Sequence, residues 1–297
     1  MIRVTVPATT ANLGPGFDSL GCALSMYAHF DVEEIQSGLQ IEGCAEQYCN
    51  EDNLFIVAFR HAEQTMGVYE MPVHLRVSTD VPDSRGLGSS ATFIVGGILA
   101  ANALHGNRLP REECLRLAVQ MEGHPDNAAP AMLGGLLASF MEDGKPVTVE
   151  VPIALRVGFI ALIPNFETKT SDMRRVLPEK VPRSDAIFNL SRVAVLLRAI
   201  ETGNLDLIGR ALKDRLHQPY REGLIYEYDR AKEAALAAGA NAFCISGSGS
   251  TCLAIAENAA TREMAKQIQK SLSDSKYEWK VIPLNPDRSG AYVEKLH

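Results

Sequence analysis

The feature that most constrains this chain is the run PDSRGLGSSAT at residues 82–92, which leads straight into ATFIVGGILAANAL at residues 91–104. The second stretch is apolar nearly all the way round a helix, so it has no solvent face and has to lie inside a fold with other elements around it. It is too short, and too interrupted by glycine and asparagine, to cross a membrane. Its entrance is made of glycines and serines. Such a helix start offers unpaired backbone N–H groups and the positive end of the helix dipole, and glycine lets a phosphate come close to the main chain. Ser89 and Ser90 add hydroxyls there, as further donors or as oxygen ligands for Mg²⁺. The same residues also make an ordinary serine-capped helix. Two other phosphate motifs fit badly. A P-loop needs a lysine after its last glycine, and this loop has none. A dinucleotide fingerprint drawn through Gly86, Gly88 and Ala91 would put its acidic residue, about 20 positions on, near Arg108.

Around this helix the chain alternates strand and helix patterns. Short strands are expected at residues 2–6, 29–35 and 73–79, and a second helix from Pro110, ending at Gly123. Further on, strands are expected at 147–151, 157–163, 242–246 and 252–255, and helices at 187–200, 205–212, 224–236 and 261–272. With 297 residues there is room for two lobes, and the mixture in both halves points to an α+β fold divided near residue 150. A net charge of −7 argues against a nucleic-acid partner, which needs a positive surface. The six cysteines form no CxxC pair and read as free thiols of a reducing compartment. No stretch has the length of a signal-peptide core or a membrane span, so a cytoplasmic protein with no membrane partner is expected.

Three more segments carry chemistry. PATTANLGPGFDSLG (7–21) follows the first strand and gathers small residues around one amide, Asn12, and one carboxylate, Asp18, which can hold an ammonium group. A tight structural loop with a solvated aspartate would look the same. EGHPDNAAP, starting at Glu122, brings Glu122, His124, Asp126 and Asn127 together just after a helix; Glu122 with Ser90 would supply the oxygens that nucleotide-bound Mg²⁺ takes from protein. There is no HxxxH or HExxH pattern for zinc. AFCISGSGSTC (242–252) is a glycine-serine turn between apolar strands, a second flexible loop able to close over a ligand or simply a hairpin.

Taken in order, PATTANLGPGFDSLG, PDSRGLGSSAT, EGHPDNAAPAMLGG and ISGSGSTCLAI resemble the motifs of the GHMP kinases, over residues 7 to about 255. Within that family the first motif and DNAAPA are most similar to the homoserine-phosphorylating members. The resemblance implies a two-lobed α+β fold: a ribosomal-protein-S5-domain-2-like, ATP-binding N-terminal lobe (1–150) and a ferredoxin-like C-terminal lobe (151–297), with the site between them. It implies phosphorylation of L-homoserine by ATP and Mg²⁺, in threonine biosynthesis, by a homodimer. Carried over residue by residue, Pro82, Arg85, Gly86, Leu87, Gly88, Ser89, Ser90 and Ala91 would hold the triphosphate, and Asn53 would lie near the base. Ser90 and Glu122 would bind the metal. The amino-acid substrate would meet Asn12, Asp18, His124, Asn127, Arg174 and Arg221, the two arginines serving as a carboxylate clamp. Asp126 and Thr170 would assist the reacting hydroxyl. The sequence departs from the common pattern at Ser250, where proline is usual, and at Thr92. Rival readings are a GHMP kinase with a larger acceptor and a silent binder of the same fold.

Overall fold

The computed structural model describes residues 1–296. Its first sheet contains β1 (Ile2–Ala11), β2 (Leu20–Glu34), β3 (Leu39–Glu42), β4 (Val73–Thr79), β5 (Leu136–Glu142) and β6 (Lys145–Val151). The second contains β7 (Val157–Pro164), β8 (Ala242–Ile245), β9 (Cys252–Glu257) and β10 (Trp279–Leu284), in the order β10-β7-β9-β8. The last strand, β11 (Tyr292–Lys295), returns to the first sheet, whose main path runs β11-β1-β2-β4-β3 with β5 and β6 paired off β2. Only the β3–β4 pair is parallel among these strands.

Four helices belong to the first sheet: α1 (Leu54–Met66), α2 (Ser89–Leu104), α3 (Arg111–Glu122) and α4 (Pro125–Leu133). α2 and α4 lie on β1 and β2, while α1 and α3 flank α2. The helix without a solvent face is thus enclosed as its composition requires. Two glycines allow the approach. Gly96 faces the Phe30 ring, and a Cβ on Gly97 would overlap the Phe55 carbonyl of α1.

The second sheet carries α5 (Thr170–Arg175), α6 (Arg183–Thr202), α7 (Leu205–Ala211), α8 (Gln218–Arg221), α9 (Tyr228–Ala237) and α10 (Thr261–Ser271) among its connections. β7 is buried from end to end, because both faces of the sheet are covered. Phe159 and Ala161 join the main core with α6 and α7, and Ile160 and Leu162 join a second cluster with α9, α10 and Trp279. That is why the segment reads as a continuous apolar run instead of an alternating one.

The expected helix at 224–236 is broken. Glu222–Leu224 is a 3-10 turn, Ile225 is extended and buried in the second cluster, and the helix begins only at Tyr228. Glu227, with φ 56°, turns the chain and accepts main-chain N–H groups from Lys276 and Tyr277. The strands expected at 2–6 and 29–35 belong to longer ones, since buried Thr9 and Thr10 and the small residues of 20–28 also pair. The elements α1, α4, β3, β5, β10 and β11 were beyond the periodicity reading. No helix among the described residues is long and apolar enough to cross a membrane.

Replacing Gly97 by alanine tests the closeness of α1 and α2. Overpacking of this kind costs about 1–3 kcal/mol, so Gly97→Ala is expected to lower the unfolding free energy by that amount in urea titration, as a lower midpoint with unchanged dependence on denaturant.

Candidate active site

A cavity of about 700 Å³ opens between the two sheets and gathers residues from all four motifs. Its floor is the start of α2. Gly88, in the left-handed region at φ 70°, precedes the helix, and no side chain caps the first-turn N–H groups. These donors therefore point outward with the positive end of the dipole behind them. The glycines are there for space: a Cβ on Gly88 would strike Thr9 Oγ1, and one on Gly86 (φ 72°) would strike the Ser246 carbonyl. Ser89 donates to Asp83 at 2.5 Å. Ser90 Oγ donates to Glu122 Oε2 at 2.8 Å, and burial, the largest influence, pushes the Glu122 carboxyl above its ordinary range.

The loop after β1 is held in a shape that few residues adopt. Asn12 and Asp18 both have positive φ, 69° and 54°. Asn12 is buried, accepts the Asp18 main-chain N–H at 2.9 Å and donates to the Gly247 carbonyl at 2.8 Å. Asp18 forms a two-pronged ion pair with Arg174 of α5, at 2.8 and 3.1 Å, and this hydrogen bonding raises the arginine's already high pKa. Beside them, Asp126 is buried at the start of α4 and bonded to His124 Nδ1 at 2.5 Å. Burial disfavours the charged His124 ring, but the bond to Asp126 and the charges of Asp126 and Glu122 outweigh it and hold the pKa up. Asn127 accepts from Thr9 Oγ1 at 2.8 Å.

Arg221 departs furthest from a surface arginine: it is 1% exposed. Its Nε donates to the Met173 carbonyl at 3.0 Å and its Nη1 to the Gly247 carbonyl at 3.3 Å, yet no carboxylate pairs with it among the described residues. Burial is the main cause that lowers its pKa to about 10, and Arg174 adds to it. The turn presenting it is fixed by Asp214, which accepts the main-chain N–H groups of Leu216, His217 and Gln218. His217 Nε2 meets the Gly14 carbonyl at 2.8 Å, which can only accept. The proton therefore sits on Nε2, and Nδ1 is left to accept from Arg221 Nη1 at 3.2 Å.

Other expected positions stand differently. Pro82, Leu87 and Ala91 do not line the cavity; Leu87 and Ala91 are in the core. Arg85 lines the cavity and also reaches the second sheet, donating to the Pro164 carbonyl at 3.0 Å. Asn53 lines the cavity but also caps α1, accepting from the Phe55 N–H at 3.0 Å. Thr170 opens α5 and touches Ser248 Oγ at 3.2 Å. Several lining residues had no individual signal in the sequence: Gly247 and Ser248 of the third loop, and the apolar end made by Tyr48, Leu54, Val77 and Phe93. Asp214 and His217 were missed as well, although HQPYR surrounds an arginine that was not.

The chain matches the family models of the GHMP kinases N terminal domain over residues 53–135 and of the GHMP kinases C terminal over 196–276. A homoserine kinase of Clostridium botulinum is 40% identical over 296 residues, covering 99% of both chains. The chain belongs to the homoserine kinases of the GHMP family. A homoserine kinase structure from Cytophaga hutchinsonii superposes with a TM-score of 0.88 at 28% identity, covering 99% of this chain and 97% of that one. A mevalonate kinase from L. major, at 17% identity and TM-score 0.72 over 96% of each chain, shares the GHMP kinase fold alone. The turn at 246–251 meets the 7–21 motif because Gly247 bonds to Ala11 and Asn12.

The pairing of His124 with Asp126 gives a titration test. Removing the negative charge and acceptor that raise the imidazole's pKa should lower it, so the His124 midpoint in an NMR titration is expected to fall in Asp126→Asn.

Proposed function

We propose that the chain transfers the γ-phosphoryl group of MgATP to the side-chain hydroxyl of L-homoserine, with Arg221 and Arg174 holding the substrate carboxylate. The observation that carries this reading is the buried Arg221, which faces the cavity with no carboxylate paired to it among the described residues. A guanidinium taken out of water and left without an anion is unfavourable by several kcal/mol, and an anionic ligand offsets that loss. An α-amino acid brings such an anion with an ammonium group next to it. Asp18 and Asn12 stand beside the arginines to receive the ammonium, so a zwitterion can exchange partners within the Asp18–Arg174 pair. Mevalonate has a carboxylate but nothing for Asp18 to hold.

At the other end, the open start of α2 with Gly86, Gly88 and Ser89 suits the triphosphate, and the apolar wall around Tyr48, Val77 and Phe93 suits the base. Ser90 Oγ and Glu122 Oε2 lie 2.8 Å apart. Adjacent ligands of an octahedral Mg²⁺ at its usual bond length are about 2.9 Å apart, so the pair fits that ion. When bound there, Mg²⁺ supplies positive charge against the phosphate oxygens.

The chain's own residues do the rest by positioning. His124 holds the Asp126 carboxylate in one orientation, from which it accepts the hydroxyl's hydrogen bond. Thr170, held by Ser248, stands as the second group assisting the hydroxyl. Transfer through a loose transition state lets the hydroxyl proton leave late, toward Asp126, so alignment and the helix N–H groups carry more of the catalysis than a strong base. The same reading proposes lobes divided near residue 150, a homodimer, and a cytoplasmic place in threonine biosynthesis.

ADP release in a coupled assay tests it, with L-homoserine, mevalonate and L-serine as acceptors. Turnover is expected with homoserine and not mevalonate. Arg221→Ala is expected to lose about 2–4 kcal/mol in kcat/KM for homoserine, mostly as a higher KM, with the KM for ATP little changed. Glu122→Gln is expected to lower kcat about 100-fold or more and to raise the Mg²⁺ requirement. Turnover of mevalonate with none of homoserine would discard the substrate assignment and keep the kinase.

A further inference from the structure

Cys44 and Cys49 stand apart from the other four cysteines. Cys22, Cys114, Cys244 and Cys252 are buried, and burial pushes the Cys22 and Cys244 thiols up to about 12; burial and the contact with Cys49 also push Cys44 up, to about 11, so it is geometry and access that set this pair apart. Cys49 is exposed and Cys44 half-buried. A 3-10 turn, Glu46–Tyr48, folds the chain back on itself so that their sulfurs lie 3.5 Å apart. This turn is part of the cavity: Cys44, Gln47 and Tyr48 line its apolar end beside Asn53, whereas Cys49 does not. Asn53 ties the turn to the fold. Its Nδ2 donates to the Tyr48 carbonyl at 2.9 Å and lies 3.9 Å from Cys44 Sγ, while its Oδ1 caps α1.

We propose that Cys44 and Cys49 form a reversible disulfide at the mouth of the cavity, and that closing it weakens nucleotide binding; the second half rests on reading this cavity as the nucleotide site. The oxidant is a hydroperoxide, of which hydrogen peroxide is the simplest. Cys49, the accessible thiol, attacks one peroxide oxygen; the O–O bond breaks, leaving a sulfenic acid on Cys49 and releasing water. The Cys44 sulfur then attacks the Cys49 sulfur, the S–O bond breaks, and the hydroxyl leaves with the Cys44 proton as a second water. Two electrons pass from the sulfurs to the peroxide, and a dithiol reductant reverses the change. Bond formation draws the sulfurs from 3.5 Å to about 2.05 Å across a single short turn. The main chain at Tyr48 moves with them, and its hydrogen bond from Asn53 is strained or lost. Where the displaced wall gives up one hydrogen bond to the nucleotide, affinity falls about three- to tenfold.

The test uses the full chain, reduced, then treated with equimolar hydrogen peroxide and quenched with catalase. Intact mass and peptide mapping read the cross-link, equilibrium titration with a fluorescent ATP analogue reads affinity, and the coupled assay reads KM for ATP. Expected are a mass lower by two hydrogens mapped to Cys44 and Cys49, ATP binding weaker by about three- to tenfold, and recovery with dithiothreitol. Cys49→Ser should keep the reduced-state activity and show neither change. Absence of the cross-link, a cross-link that leaves ATP affinity unaltered, or the same weakening in Cys49→Ser each overturns the proposal. A reduced chain that binds ATP but does not phosphorylate homoserine would overturn the functional reading instead, and one that binds no ATP would overturn the cavity assignment on which both rest.

Discussion

The geometry of the cavity depends on the bonding of one short turn, residues 246–251, to the loops that follow β1 and precede α2. Gly247 donates its N–H to the Ala11 carbonyl at 3.1 Å, and its own carbonyl takes Asn12 Nδ2 and Arg221 Nη1. Thr251 N–H donates to the Arg85 carbonyl at 3.0 Å, and Ser246 Oγ donates to the Gly86 carbonyl at 2.6 Å. These bonds leave no room for side chains. A Cβ at Gly86 would enter the Ser246 carbonyl, so glycine is required on the phosphate side for the turn to approach at all. The third loop is therefore a fixed wall that aligns the helix start with the substrate groups. Ser250, standing where proline is common, is locked by its hydroxyl bond to the Phe166 carbonyl at 2.7 Å.

Most charges lining the cavity have a partner inside the protein, Arg85 with Glu167 and Asp83 with the Ser89 hydroxyl among them. Asp18 has Arg174, Asp126 has His124, and Glu122 has the Ser90 hydroxyl. Arg221 alone has only carbonyls and a neutral ring as partners. Such an arrangement pairs most of these charges within the protein and leaves a local attraction for an anion at Arg221. His217 contributes through its tautomer: burial, the largest influence, lowers its pKa, so the neutral ring accepts from Arg221 Nη1 without repelling it. Phe17, stacked on His217 at 5.2 Å and lying under both arginines, adds an aromatic face that a water-filled pocket would lack.

Local sequence determined a good deal of this protein. The α2 helix and its phosphate-type entrance, β4, the paired turn around 246–251 and the four motif segments were legible because glycine, proline and apolar periodicity act over a few residues. Asn53 shows where such reading stops: the same amide that suits a nucleotide base also caps α1, and only the helix behind it reveals the second task. Arg221 shows the converse, since in sequence it was indistinguishable from a surface arginine on a short helix. Its burial comes from Phe17, Met173 and Gly247, which are brought around it by three separate segments. The return of β11 to β1 and the break before Tyr228 were likewise decided by tertiary contacts. The physical reason is common to all of them: patterning specifies which face of an element avoids water, whereas partner, register and side-chain desolvation are set by groups distant in the chain.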